Sequence, residues 1–131
     1  MFVDASAWTA IVLDEPERGR LRVALADAEI VLTSPIANWE TVRAVVRETR
    51  DTVQDASARL TALQARFGAR VVEIGGAEGA IALGAHARFG KGVHPARLNM
   101  GDCFAYACAR THGVALLFKG DDFSLTDIET A

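Results

Sequence analysis

The sequence has few cysteines and histidines. It contains two cysteines and three histidines in 131 residues, and their spacing fits no zinc-site pattern. Cys103 and Cys108 lie five residues apart on one predicted helix and point in different directions, so we expect no disulfide between them. We expect both to be small, buried apolar side chains.

Long apolar runs are also absent, and no stretch approaches the eighteen or so apolar residues that a membrane span needs. The N-terminus lacks a basic segment and places Asp4 inside its first apolar run, which is unlike a signal peptide. Half of the residues are hydrophobic, which supplies a core and excludes a disordered chain. At this length we expect a single domain over residues 1–131, located in the cytoplasm.

Positive charge is not in excess. A net charge of −3 argues against a protein that binds nucleic acid through a broad basic surface. Lys91 and Lys119 are the only lysines, so twelve of the fourteen basic residues are arginines, the side chain best suited to phosphate. The composition therefore does not exclude a local contact between arginines and nucleic acid.

Apolar runs of strand length alternate with stretches of helical periodicity. The predicted strands lie at residues 2–3, 29–33, 70–74 and 114–118, with two helices between successive strands. This βαα repetition predicts a three-layer α/β/α fold with a mostly parallel central sheet of four to five strands. The run Val114–Phe118 is apolar throughout, so we expect it at the centre of the sheet.

Two predicted helices follow the second strand. Ser34 and Pro35 mark the start of the first, which runs to about Thr49. Its predicted apolar face contains Trp39, Val42, Val45 and Val46. Its opposite side carries Arg43, Arg47 and Arg50, either as a solvated face or as a stripe facing an RNA backbone.

The second of these helices, over residues 51–66, has an apolar seam of two heptads. The seam consists of Val53, Ala56, Leu60, Leu63 and Phe67. It predicts a helical hairpin with the preceding helix, and a dimer contact is the alternative. Further on, Gly75–Gly79 lacks the pattern of a phosphate-binding loop, and we expect the next helix to begin at Ala80.

Asp102 lies at the start of a predicted helix that is apolar on nearly every side. Asn99 can cap this helix, which places Asp102 in the first turn. A helix apolar all round belongs in a core. A carboxylate there is costly unless it is paired, hydrogen-bonded or bound to a metal.

Other carboxylates are predicted at the same edge of the sheet. Asp4 follows the first strand, Asp121 and Asp122 follow the last, and Glu40 lies early in a crossover helix. In a parallel sheet, strand ends and the following helix starts meet at one edge. Each aspartate alone is explained by capping or turn chemistry. Several together need a cation, and oxygen ligands select Mg²⁺ or Mn²⁺.

Carboxylate-held divalent metals suit phosphoryl chemistry, in which the metal lowers the pKa of a bound water and orients it. No Ser-His-Asp set or nucleophilic cysteine is evident, so hydrolysis by metal-activated water is favoured. An aspartyl-phosphate enzyme ranks lower, because Ser6 stands where such an enzyme usually has a second aspartate.

Four segments together resemble the PIN-domain ribonucleases, and among them most closely the VapC toxins of type II toxin–antitoxin systems. These segments are Val3–Ser6, the helix of Glu40 after Ser34-Pro35, Leu98–Ala107, and Leu116–Phe123 followed by Thr126–Ile128. The resemblance covers essentially the whole chain. It implies a metal-dependent endoribonuclease with four acids, commonly a homodimer, which a co-expressed antitoxin inhibits.

Carried over by position, Asp4, Glu40 and Asp102 match the first three acids of the family. The fourth commonly precedes a phenylalanine, which selects Asp122, and its neighbour Asp121 is an alternative or additional acid. The resemblance implies that Asp4 and Asp102 bind the metal most directly. It implies that the other two complete the shell and orient or deprotonate the attacking water.

Positive side chains would then guide RNA locally. The candidates are Arg43, Arg47, Lys91, His94 and Arg97. Two other functions stay open for such a chain. One is a housekeeping PIN nuclease in RNA processing, and the other is a non-catalytic binding module with the same fold.

Overall fold

The computed structural model describes residues 1–131, in which four short strands alternate with helices. The strands are β1 (Phe2–Val3), β2 (Leu32–Thr33), β3 (Arg70–Val71) and β4 (Leu116–Leu117). The helices are α1 (Ala5–Val12), α2 (Arg18–Asp27), α3 (Pro35–Glu48), α4 (Val53–Arg66), α5 (Gly76–Phe89) and α6 (Met100–His112). None of these helices is long and apolar enough to cross a membrane.

The strands form one parallel sheet in the order β3-β2-β1-β4. Successive side chains of a strand point to opposite faces, and each face has its own core. Phe2 and Leu116 pack with α5 and α6. Val3 and Leu117 pack with α1, α2 and α4 on the other side. The predicted three-layer α/β/α fold with a parallel sheet is therefore confirmed.

The predicted central position of the last strand is wrong, because β4 lies at an end of the sheet order, beside β1. The C-terminal residues cover its free edge: Leu116 N donates to Glu129 O at 2.8 Å, and Ala131 N donates to Leu116 O at 3.0 Å. Leu116 and Leu117 are both fully buried. The apolar run thus reports burial on both faces and carries no information about strand order.

Side chains also hold the C-terminal segment. Tyr106 Oη donates to Asp127 Oδ1 at 2.7 Å, and the guanidinium groups of Arg88 and Arg110 each donate to Asp127 Oδ2 at 2.9 Å. Phe123 is buried, with its ring centroid 4.9 Å from that of Phe118. These contacts hold the C-terminal segment at two points, Phe123 and Asp127.

The buried face of α3 includes Val45, as predicted, but it does not include Trp39. It consists of Ala37, Thr41 and Val45, whereas the Trp39 residue is 56% exposed. Residues 37 and 39 are about 200° apart around a helix, so the tryptophan points away from the core. The Arg43 guanidinium lies 4.7 Å from the centroid of its ring.

The predicted hairpin of α3 and α4 is confirmed. Ala56 and Leu60 of the heptad seam are buried within the chain, and Gln64 Nε2 donates to Asn38 Oδ1 at 2.7 Å across the hairpin. Because the middle of the seam is used inside the chain, it is not available as a dimer contact.

Helix α5 begins at Gly76, one turn earlier than predicted. The Glu78 carboxylate accepts a hydrogen bond from Gly75 N at 2.8 Å. This contact satisfies an N–H at the helix start. It is reinforced by the favourable position of a negative charge in the first turn. The capping acid therefore compensates for glycines that have low helix propensity.

Candidate active site

A pocket of about 330 Å³ opens at the edge of the sheet where the strands end. Among the residues that line it are the four predicted acids, which come from four separate parts of the chain and lie where the parallel connectivity places them. They are Asp4, Glu40, Asp102 and Asp122.

Asp4 is the most buried of the four, at 5% exposure. It follows β1, and its N–H donates to Leu117 O of β4 at 2.9 Å. Its Oδ2 caps α1 by accepting from Ser6 N at 2.8 Å and from Ser6 Oγ at 2.6 Å. Burial raises the pKa of Asp4, although these hydrogen bonds oppose the shift.

Asp102 is held by a reciprocal cap at the start of α6. Its Oδ2 accepts from Asn99 N at 2.8 Å, and its own N–H donates to Asn99 Oδ1 at 3.0 Å. Burial raises the pKa of Asp102 to about 6. The hydrogen bond from Asn99 opposes this rise, and the charges of Asp4 and Asp122 add to it.

Glu40 lies in the second turn of α3 and is half-buried. Its pKa is raised to about 7, first by burial and then by the charges of Asp4 and Asp102, while Arg43 lowers it. The charges of neighbouring acids thus make Asp4, Glu40 and Asp102 harder to ionise, and a cation among them would relieve this repulsion.

The pocket distinguishes the two adjacent acids that follow β4. Asp122 lines the pocket, whereas Asp121 does not. Both residues are exposed, and the buried Phe123 ring anchors the chain immediately after them. Of the two acids, Asp122 is therefore the one that lies in the pocket with the other three.

The donor set fits a hard divalent cation, because the charged ligands are carboxylate oxygens without histidine or cysteine. No three His, Cys, Asp or Glu side chains form a preformed metal-binding group.

None of the five predicted RNA-guiding residues lines the acidic pocket. Arg43 is one turn from Glu40 on α3 and lowers its pKa. Arg47 is exposed and pairs with Glu48 at 2.9 Å, and Lys91 lines a separate, largely apolar pocket of about 250 Å³.

The other two predicted RNA-guiding residues lie in the loop before α6. Arg97 is exposed, with a left-handed φ of 55°. His94 Nδ1 accepts from Ala96 N at 3.1 Å, and its ring packs edge-on against Phe89. Local turn geometry and packing account for both positions.

Sequence reasoning missed two charged residues of the pocket, Glu15 and Lys119. Glu15 lies in the loop between α1 and α2, and Lys119 follows β4. Their side chains form an ion pair across the pocket. The signal in the sequence was the position of Lys119, which directly follows the last strand at the edge where the acids meet.

The chain is similar to several known proteins over nearly its whole length. The PIN domain family model matches residues 1–129. A VapC ribonuclease of Rhizobium meliloti (strain 1021) is 39% identical over 139 residues, covering 97% of this chain and 98% of that protein. A ribonuclease VapC of Mycolicibacterium smegmatis is also 39% identical, covering 98% of this chain and 97% of its own.

The fold is shared with a solved structure. The crystal structure of Mycobacterium tuberculosis VapC20, described as a sarcin-ricin loop cleaving toxin, superposes with a TM-score of 0.78 at 22% identity. The match covers 99% of this chain and 97% of that one. Together with the near-complete sequence matches, this means that the chain belongs to the PIN-domain family and, within it, to the VapC ribonucleases.

Proposed function

We propose that this protein is the toxin of a type II toxin–antitoxin system, acting as a Mg²⁺- or Mn²⁺-dependent endoribonuclease. It hydrolyses RNA phosphodiester bonds with metal-activated water. The observation that carries the proposal is the convergence of Asp4, Glu40, Asp102 and Asp122 on one pocket. Residues 1–131 act as one nuclease domain in the cytoplasm, where RNA is found.

The four acids divide into two roles. Asp4 and Asp102 are fixed by hydrogen bonds from Ser6 and Asn99, so they are the preorganised ligands for the cation. Glu40 and Asp122 complete the shell from α3 and from the segment after β4. A cation held by these residues would supply a water of lowered pKa and would stabilise charge on the leaving oxygen.

Glu40 is also the acid best placed to move a proton. In the cation-free protein its pKa is raised to about 7, first by burial and then by the charges of Asp4 and Asp102. Arg43, one turn along α3, limits how far that pKa rises. We therefore assign Glu40 the task of orienting or deprotonating the attacking water.

The partners that we propose are an RNA substrate, a cognate antitoxin and a second copy of this chain. Exposed apolar side chains support self-association, because large apolar patches mark interaction surfaces. Leu83 is 73% exposed, Met100 62% and Trp39 56%. Met100 lines one apolar pocket with Leu83 and another with Trp39, so the three side chains form a continuous surface.

Cleavage of structured RNA by the purified protein tests the nuclease function. We expect cleavage with Mg²⁺ or Mn²⁺, none with EDTA, and at least a hundredfold loss for Asp102→Asn. Asp55→Asn is the matched control, since Asp55 also lies in a first turn and is capped by Thr52, but on α4 away from the pocket. Cleavage that survives both EDTA and Asp102→Asn contradicts the metal mechanism.

Expression in a bacterial host separates the toxin from the other two functions. A toxin arrests growth, and a small neighbouring reading frame that encodes the antitoxin restores it. A housekeeping nuclease cleaves RNA without arrest, and a binding module does neither. Asp102→Asn should abolish the arrest, because we propose that it requires cleavage.

A further inference from the structure

Lys119 is joined to the acidic site through its backbone. Its N–H donates to Ser6 Oγ at 3.0 Å, and Ser6 Oγ in turn donates to Asp4 Oδ2 at 2.6 Å. The residue therefore keeps a fixed position relative to the most buried carboxylate of the site. The Lys119 backbone is therefore held in place beside the site, as the backbones of the four acids are.

The side chain of Lys119 reaches across the mouth of the pocket. Its ammonium pairs with the Glu15 carboxylate, and the Glu17 carboxylate lies 3.9 Å away. The lysine side chain is 34% exposed, so water and ligands in the pocket can reach it. Both acids belong to the segment between α1 and α2, which folds over the end of β4.

Lys119 is the only cationic side chain that lines the pocket. An RNA phosphate entering a site with four carboxylates meets strong repulsion unless positive charge faces it. A lysine ammonium binds phosphate as a compact point charge with three donors. The same ammonium is held by an acid in the free protein, so phosphate and Glu15 compete for it.

We propose that Lys119 binds a non-bridging oxygen of the RNA phosphate in this pocket, and that Glu15 holds the ammonium until RNA displaces it. This assignment rests on the proposed ribonuclease function. Lys119 is then a substrate-binding residue, and Glu15 lowers RNA affinity by competition. No bond is made or broken in this exchange of ion pairs.

The assignment predicts that the two partners of one ion pair have opposite effects. Removal of the lysine charge in Lys119→Met should weaken RNA binding about tenfold, the range of a charge-assisted hydrogen bond. Removal of the competing charge in Glu15→Gln should strengthen binding severalfold. The double variant should bind no more tightly than Lys119→Met alone, because the released ammonium is then missing.

Binding is measured by fluorescence anisotropy of a 5′-labelled random-sequence RNA on an Asp102→Asn background, so that cleavage does not interfere. Salt dependence gives a second readout. Loss of one phosphate contact should reduce the slope of log K against log salt by about 0.7 for single-stranded RNA. Lys119→Arg, which keeps the charge, should retain the slope.

The ion pair of Asp14 with Arg18 provides the control. It lies in the same segment as Glu15 but does not line the pocket. Asp14→Asn and Arg18→Met should leave RNA affinity and its salt slope at wild-type values. Thermal unfolding of every variant separates a change in binding from a loss of fold.

Two results would overturn the inference. One is an unchanged affinity and salt slope for a folded Lys119→Met variant. The other is an equal loss of affinity in Glu15→Gln and Lys119→Met, which would make the ion pair a structural clamp. Either result leaves the proposed function standing, whereas absence of metal-dependent RNA cleavage by the wild-type protein contradicts that function independently.

Discussion

The Glu40 carboxylate occupies the space directly above Gly101. A Cβ atom at residue 101 would lie 2.2 Å from both carboxylate oxygens of Glu40, far inside the contact distance of carbon and oxygen. Gly101 is buried in the first turn of α6, next to Asp102. The missing side chain is therefore what lets α3 and α6 bring their two acids together.

Gly101→Ala should displace Glu40 without unfolding the protein. The clash involves the end of a flexible side chain, so the carboxylate can swing away while α6 keeps its cap. We expect RNA cleavage to fall by about a hundredfold, the usual cost of misplacing a catalytic group by about 1 Å. The melting temperature should stay close to that of the wild type.

Gly84→Ala is the control for this change. Gly84 lies within α5, and a Cβ there would meet nothing within 4 Å. This variant should keep full activity and gain about 1 kcal/mol of stability from helix propensity. If the Gly101→Ala variant cleaved RNA at the wild-type rate, cleavage would not require Glu40 to be in its present position.

The two acids after β4 should differ sharply in their effect on cleavage. Asp122 lines the pocket and Asp121 does not. Cleavage rates at saturating Mg²⁺ should fall at least tenfold in Asp122→Asn and stay within twofold of the wild type in Asp121→Asn. A larger loss of cleavage in Asp121→Asn than in Asp122→Asn would instead identify Asp121 as the fourth acid.

The positions of the acids could be predicted from the sequence because they follow from connectivity. Asp4 follows a strand and Asp102 starts a helix, and in a parallel α/β sheet such positions meet at one edge. The pairing of Glu15 with Lys119 could not be predicted. It depends on how the loop between α1 and α2 folds over the end of β4.

Two errors in the fold prediction have a common cause. Apolar character reports burial, but it does not say which neighbour provides it. Residues 114–118 are apolar because helices cover both faces of β4, while the C-terminal residues cover its edge. Trp39 is apolar too, yet it lies on the side of α3 that faces away from the core.

The metal-free protein should lose stability as the pH rises toward 7. Folding raises the pKa of Glu40 from 4.5 to about 7 and that of Asp102 from 3.8 to about 6. Between these values the folded state binds more protons than the unfolded state, so stability falls with increasing pH. Below the unfolded-state values this contribution is fully present.

Differential scanning calorimetry in EDTA checks this linkage. The melting temperature should be higher at pH 5.5 than at pH 7.5, and Glu40→Gln should reduce the difference because residue 40 no longer titrates. Mg²⁺ should stabilise the protein more at pH 7.5, where the acids are ionised and free to bind it. Equal Mg²⁺ stabilisation at both pH values would contradict the raised pKa values.

The exposed apolar surface around Leu83 should mediate self-association. Leu83→Glu places a charge on α5 within this surface, so the dissociation constant of a dimer should rise at least tenfold. Val23→Glu is the control, because Val23 is similarly exposed, at 62%, but lies on α2 in the other helical layer. Sedimentation velocity would reveal the difference, and equal behaviour of the two variants would exclude this surface.

The hydroxyl of Tyr106 should stabilise the fold through Asp127. It donates to a carboxylate that two arginines also contact, and together they hold the segment that covers β4. Tyr106→Phe removes this donor, and also the acceptor of a hydrogen bond from Arg110 Nε at 3.2 Å, while the ring stays packed. Because Asp127 is partly exposed, we expect a loss of about 1 kcal/mol.

Urea unfolding measures this loss as a lower midpoint with an unchanged m-value. Arg88→Met should lower the midpoint less, because Arg110 still neutralises the Asp127 carboxylate. The two single changes should not add in the double variant, since both act on one hydrogen-bonded group. Strict additivity would mean that tyrosine and arginine stabilise the C-terminal segment independently.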